Sequence, residues 1–271
     1  MRPSRLDIAA PPFRPDLEWL GGDAPRLERI VTKGPLLVHF FDFAQVNSVR
    51  ALPYVRAWHE RYEPAGLTVL GIHSPRFPFT RPAEAVAGAL PGLGIEWPVA
   101  VDSELATWRD YGCEGWPSLF LWGRGGALRW YQLGEGEYRG AELAIREELE
   151  PDREWPPPLD PLRETDAQGA AVIAPTPELL PGGSLAHPWR AGSEQPLRFE
   201  YESGGAFAAA TGAGSLRIEL EGGAAAEVAI DGPGLYELST HPTSERHAVE
   251  LSGSAEALVY SIQFAPGAPR R

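Results

Sequence analysis

A single cysteine, Cys113, stands among 271 residues, so no intrachain disulfide can form. That absence constrains the compartment only weakly, because cytosolic chains need no disulfides and large secreted domains also fold without them. Basic residues are scarce as well: Lys and Arg number 24 against 37 Asp and Glu, a formal net charge of −13. Such a surplus of carboxylates repels phosphate backbones and argues against nucleic acid as a partner. No segment approaches the ~18 uninterrupted apolar residues of a transmembrane helix. The N-terminal stretch MRPSRLDIAAPPFRPDL is broken by proline and lacks the apolar run of a signal peptide. The expectation is a cytoplasmic chain, or an extracytoplasmic one whose leader has been removed. No internal repeat is present.

The 43 % of hydrophobic residues suffices for ordinary cores, and the length suits two domains. Residues 1–150 form the first. PLLVHFFDF (35–43) is a continuous apolar run, the mark of a strand buried on both faces. A helix is expected from about Ser48 to Tyr62, with Pro53 kinking it or marking its start. Strands are expected at 67–74, 97–102, 118–123 and 127–134, the last two joined by the turn Arg124-Gly125-Gly126. Helices are expected at 82–90, 103–112 and 138–149, which makes a mixed α/β sheet. Residues 151–183 hold Pro151, Pro156, Pro157, Pro158, Pro161, Pro175, Pro177 and Pro181 and read as a stiff linker, with Trp155 docking it near the helix at 138–149. In residues 184–271, short alternating segments separated by Gly-rich turns such as Gly222-Gly223 predict an all-β sandwich, jelly-roll-like in class.

The junction at 40–53 reads Phe40-Phe41-Asp42-Phe43-Ala44-Gln45-Val46-Asn47-Ser48-Val49-Arg50-Ala51-Leu52-Pro53. With GIHSP (71–75), VDSELATWRDYG followed by Trp116-Pro117, and Gly134-Glu135-Gly136, it resembles a thioredoxin-like domain of the TlpA/ResA group. The resemblance is greatest to the DipZ-type branch, in which such a domain is fused to a sandwich similar to a carbohydrate-binding module. TPELLPGG (176–183), LYELS and the strand ending at Phe264 fit that second part. The resemblance implies two cysteines at positions 45 and 48, one attacking as a thiolate activated by a helix N-terminus, the other resolving the mixed disulfide. Here those positions carry Gln45 and Ser48, and His39 stands where such domains generally carry a buried Asp. The three replacements imply a former redox junction without dithiol chemistry, and no cofactor.

The resemblance makes Trp116-Pro117 a cis-proline element that offers backbone hydrogen bonds to an extended protein or peptide client. Cys113, four residues earlier, is either an inert small side chain or a lone redox thiol; no Lys or His adjoins it, and Glu114 would raise its pKa. His39 reads as a hydrogen-bonded core histidine, since no third member of a triad with Ser48 is evident. His73, His187, His241 and His247 lack metal-ligand spacing, so no metal site is expected. Phe199, Tyr201, Tyr260 and Phe264 fall on apolar strand phases, which leaves Trp189 as the aromatic for sugar or partner binding. The leading expectation is a redox-inactive binding or assembly protein with contacts at Trp116, Pro117 and Trp189. The alternatives are an oxidoreductase relative acting through Cys113, and a carbohydrate-binding accessory protein.

Overall fold

The computed structural model describes residues 1–3, 8–150, 153–221 and 223–270. Pro151 and Gly222, both used above, lie outside them. In the first domain β1 (Glu18–Leu20) and α1 (Leu27–Lys33) precede β2 (Leu36–Phe41), α2 (Val46–Tyr62), β3 (Thr68–His73) and α3 (Ala83–Leu93). Then come β4 (Val99–Val101), α4 (Ala106–Asp110), β5 (Ser118–Trp122), β6 (Leu128–Leu133) and α5 (Tyr138–Leu149). They form one sheet in the order β1-β4-β3-β2-β5-β6. β2 is central, parallel to β3 and antiparallel to β5. Strand alternation explains its unbroken apolar run. Leu37 and Phe41 point into a core shared with α2 and α5, while Leu36, Val38 and Phe40 point into a second core with α1. β1 and α1 are too short to leave a periodic signal, and sequence reading missed them.

The second domain holds β7 (Trp189–Arg190), β8 (Leu197–Thr211), β9 (Gly214–Leu220), β10 (Ala226–Ile230), β11 (Gly234–Gly253) and β12 (Leu258–Ala265). Every pairing is antiparallel, in the order β10-β9-β11-β8-β12-β7. Segments expected as separate strands are continuous: PLRFEY and AFAAA are both β8, LYELS and RHAVELS both β11. The long strands bend at irregularities in register and fold one sheet into a sandwich-like body. The bend needs glycine. A Cβ on Gly204 would lie 2.5 Å from the Pro266 carbonyl oxygen, and one on Gly205 2.9 Å from that of Ser239.

The linker is packed along the first domain. The Trp155 ring meets Tyr62 edge-on at 5.3 Å. Buried Glu142 of α5 accepts hydrogen bonds from Tyr62 Oη (2.6 Å), Arg146 (2.7 Å), Arg61 (2.9 Å) and the Leu159 amide of the linker (2.8 Å). Burial by itself raises the Glu142 pKa, but the Tyr62, Leu159 and Arg146 bonds outweigh it and hold the carboxyl below its usual range. A group with a depressed folded pKa stabilises fully above its unfolded pKa, and that stability is lost as pH falls through the folded value. Glu142→Ala strands Arg146 without its buried partner and should lower unfolding free energy by about 3 kcal/mol in denaturant titration at neutral pH. The difference from wild type should shrink below pH ~4; a deficit unchanged from pH 7 to pH 3 would assign the loss to packing instead.

Candidate functional site

α2 begins two residues before the expected Ser48, because Gln45 caps it. Gln45 has extended backbone, and its Oε1 accepts from the Ser48 amide at 2.9 Å. Pro53 is inside the helix, which continues to Tyr62. The Ser48 hydroxyl is fully buried and accepts from the Asp42 amide at 3.2 Å. Asp42, to which sequence reading gave no role, organises the rest. Its Oδ1 accepts from the Ala44 amide (2.7 Å), and its Oδ2 from the Arg76 amide (2.6 Å) and the Thr80 hydroxyl (2.7 Å). One buried side chain thus ties the end of β2 to the loop after β3.

The junction is closed from outside by the second domain. Gln263 of β12, itself buried, accepts from the Val46 amide through Oε1 at 2.9 Å. Its Nε2 donates to the Ala44 carbonyl at 2.7 Å. A side-chain amide therefore makes the donor–acceptor pair that a neighbouring strand would make with an extended segment. Around it, Tyr260 meets Phe79 at 4.8 Å, and Ala209 of β8 joins the first domain's core. Glu178 of the linker bonds both Arg76 and the Ser261 hydroxyl. Ala44, Gln45, Val46 and Ser48 are all buried as a result.

The other candidates are resolved residue by residue. His39 is a core histidine, stacked on Phe41 at 5.1 Å, but it is not hydrogen-bonded: neither ring nitrogen has a partner. Burial lowers its pKa to about 3, so the ring is neutral and is placed as packing, not as a base. Cys113 is buried, and its pKa is pushed up to about 12, first by burial and also by Asp102, not by the adjacent Glu114. Both effects disfavour the thiolate, the reactive form of a cysteine. Trp116-Pro117 is cis. The half-buried Trp116 ring stacks on Trp108 at 5.2 Å, and its Nε1 donates to the Ser74 carbonyl at 2.7 Å. Asp102 accepts from the Thr107 and Trp108 amides and so fixes the stack. Trp189 is half-buried on the edge strand β7 and packs against the sandwich core.

Beyond the first turn of α2 lies a cleft of about 450 Å³ between the domains, with Asn47, Arg50, Glu135, Tyr138, Phe264 and Pro266 in its walls. Arg50 and Glu135 form an ion pair at 2.8 Å. In the sandwich, His241, Glu245 and His247 converge, although no metal-ligand spacing was read there; a chain excursion inside β11 brings them together.

The sheet order, the helix following its central strand and the cis-proline that precedes β5 define a thioredoxin-like domain. The first half of the chain is similar in sequence to the thioredoxin-like thiol-disulfide oxidoreductases. It is 33 % identical over 141 residues to the protein DipZ of Mycobacterium tuberculosis, covering 50 % of this chain and 20 % of that one. It is 26 % identical over 145 residues to the thiol-disulfide oxidoreductase YkuV of Bacillus subtilis, covering 54 % and 97 %. A crystal structure of a thiol-disulfide isomerase from Corynebacterium glutamicum matches with 24 % identity and a TM-score of 0.47, over 52 % of this chain and 97 % of that one. No protein-family model matches the chain. The chain spans about a fifth of the length of the DipZ proteins. Among the described residues, no helix is long and apolar enough to cross a membrane.

Gln263→Ala leaves the Val46 amide and Ala44 carbonyl buried without partners. It should cost about 2 kcal/mol, within the ~1–3 kcal/mol range for an unsatisfied buried group. It should also raise protease sensitivity in the linker at 153–183. A loss below ~0.5 kcal/mol with unchanged proteolysis would show that the clasp is incidental.

Proposed function

We propose that this chain is a redox-inactive thioredoxin-like scaffold that binds or assembles with a protein partner. The observation that carries the reading is the state of the α2 N-terminus. Two amide donors of its first turn, those of Val46 and Ser48, which a thiolate would use, are taken by the uncharged amides of Gln263 and Gln45. Dithiol exchange requires two thiols, one of them ionised, and glutamine and a buried serine supply neither. Cys113 does not replace them, because its buried thiol resists ionisation.

The partner surface this reading favours is the edge at Trp116; Pro117 beside it is buried, and its carbonyl accepts from the Gly134 amide at 2.7 Å. There the Trp108–Trp116 stack is half-buried, and the Arg76 guanidinium lies 6.0 Å from the Trp116 ring. An extended protein segment with apolar side chains suits it, since backbone pairing supplies affinity and the indoles supply pockets. Trp189 supports a carbohydrate role less well, because its ring is packed against the sandwich core.

In an insulin-reduction assay the wild-type protein should not exceed the buffer rate, and Cys113→Ser should change nothing. Turnover that disappears in Cys113→Ser would instead assign the chain to one-cysteine redox chemistry. Gln45→Cys combined with Ser48→Cys should close a disulfide, with the nucleophilic thiol below the ~8.5 of a free cysteine. Adding Gln263→Ala should speed reduction of that disulfide by exposing it. Equal rates with and without Gln263 would contradict the proposed closure.

A further inference from the structure

His241, Glu245 and His247 lie at positions that an unbroken strand would spread over roughly 20 Å. β11 does not run unbroken. From Thr240 to Glu245 it advances five residues while its partner β8 advances two, from Gly205 to Ser203. The surplus, which includes Pro242, forms a bulged excursion that returns His241 to His247 with ring centroids 4.5 Å apart. The excursion is held from outside, because the Ser244 amide donates to the Ala268 carbonyl at 2.7 Å.

Glu245 Oε2 lies 3.2 Å from His247 Nε2 and 3.9 Å from His241 Nδ1. One ligand atom from each of the three residues falls within 4.8 Å of the other two. The outward nitrogens also have oxygen neighbours. His241 Nε2 is 2.8 Å from Tyr201 Oη, which is 2.8 Å from Ser239 Oγ. His247 Nδ1 faces Glu221 Oε1 at 3.6 Å and has no hydrogen-bond partner. His241 thus has the outer arrangement of a metal-bound imidazole, whose far N–H is oriented by a hydroxyl, carbonyl or carboxylate. The Arg270 guanidinium, on an exposed side chain, sits 3.6 Å from Glu245 Oε2, where a cation would compete with it.

We propose that His241, Glu245 and His247 form a binding site for one divalent transition-metal ion of the zinc class. Two imidazoles and one carboxylate suit that class, with water completing the shell. The stacked rings turn about their Cβ–Cγ bonds to face the ion, and Arg270 withdraws.

The test is titration of the chelator-treated full chain with Co²⁺, read by visible absorption, and with Zn²⁺, read by calorimetry and by thermal unfolding. One equivalent should bind and raise the melting temperature. His247→Ala should abolish binding, and Tyr201→Phe should weaken it about tenfold through loss of the outer hydroxyl. Arg270→Ala should leave binding equal or tighter. Where His247→Ala fails to fold, Glu245→Gln takes its place with the same expected loss. Failure of the wild type to bind one equivalent overturns the proposal. So does binding that survives both His247→Ala and Glu245→Gln.

Discussion

The arrangement of the two domains depends on one buried side-chain amide. Gln263 reaches from β12 to the first turn of α2, accepting from Val46 and donating to the Ala44 carbonyl. A helix N-terminus leaves amide donors that must find partners, and burying them without any costs more than a surface bond gains. Gln45 satisfies the Ser48 amide, and Gln263 satisfies that of Val46. The place where this fold usually presents a reactive group to solvent is here sealed by two neutral amides. Tyr260 against Phe79 and Glu178 between Arg76 and Ser261 extend the seal on either side.

The retained parts of the junction have physical work even without thiols. Arg50 holds Glu135, and Asp42 holds three separate donors. Asp102 holds the helix that carries Trp108. These contacts make the backbone rigid whether or not a cysteine stands at position 45. On the function proposed above, the scaffold outlasts its chemistry and its edges serve recognition. His39 follows the same logic. With neither ring nitrogen partnered and its charge suppressed by burial, it fills space beside Phe41 as a neutral ring, where a charge would be expensive.

The sheet of the first domain was legible because β2, β3 and β5 are apolar runs bounded by turn residues. α5 matches its expected span from Tyr138 to Leu149 because its amphipathic pattern is uninterrupted. The helix expected from about Ser48 starts at Val46, because its cap is a glutamine, a residue type that does not announce a helix start as Ser, Thr, Asp or Asn does. The continuity of β8 was hidden by Gly204-Gly205, which reads as a turn and acts as a bend within the strand, and that of β11 by the irregular register between Thr240 and Glu245. Neither Gln263 nor the His241–His247 pair could be found from local pattern. Each is defined by contacts across the tertiary structure, over 217 residues for Gln263 and Val46.

The central claim is that the α2 N-terminus is a closed interdomain joint. Amide hydrogen exchange at Val46 and Ser48 tests it most directly, because exchange reports the free energy of the opening that exposes each amide. The account predicts that both amides exchange only with the global unfolding of the protein, in step with the centre of β2. Fast exchange of Val46 and Ser48 while β2 stays protected would show that the sandwich lifts away from the junction in the native state, and would contradict the closed joint.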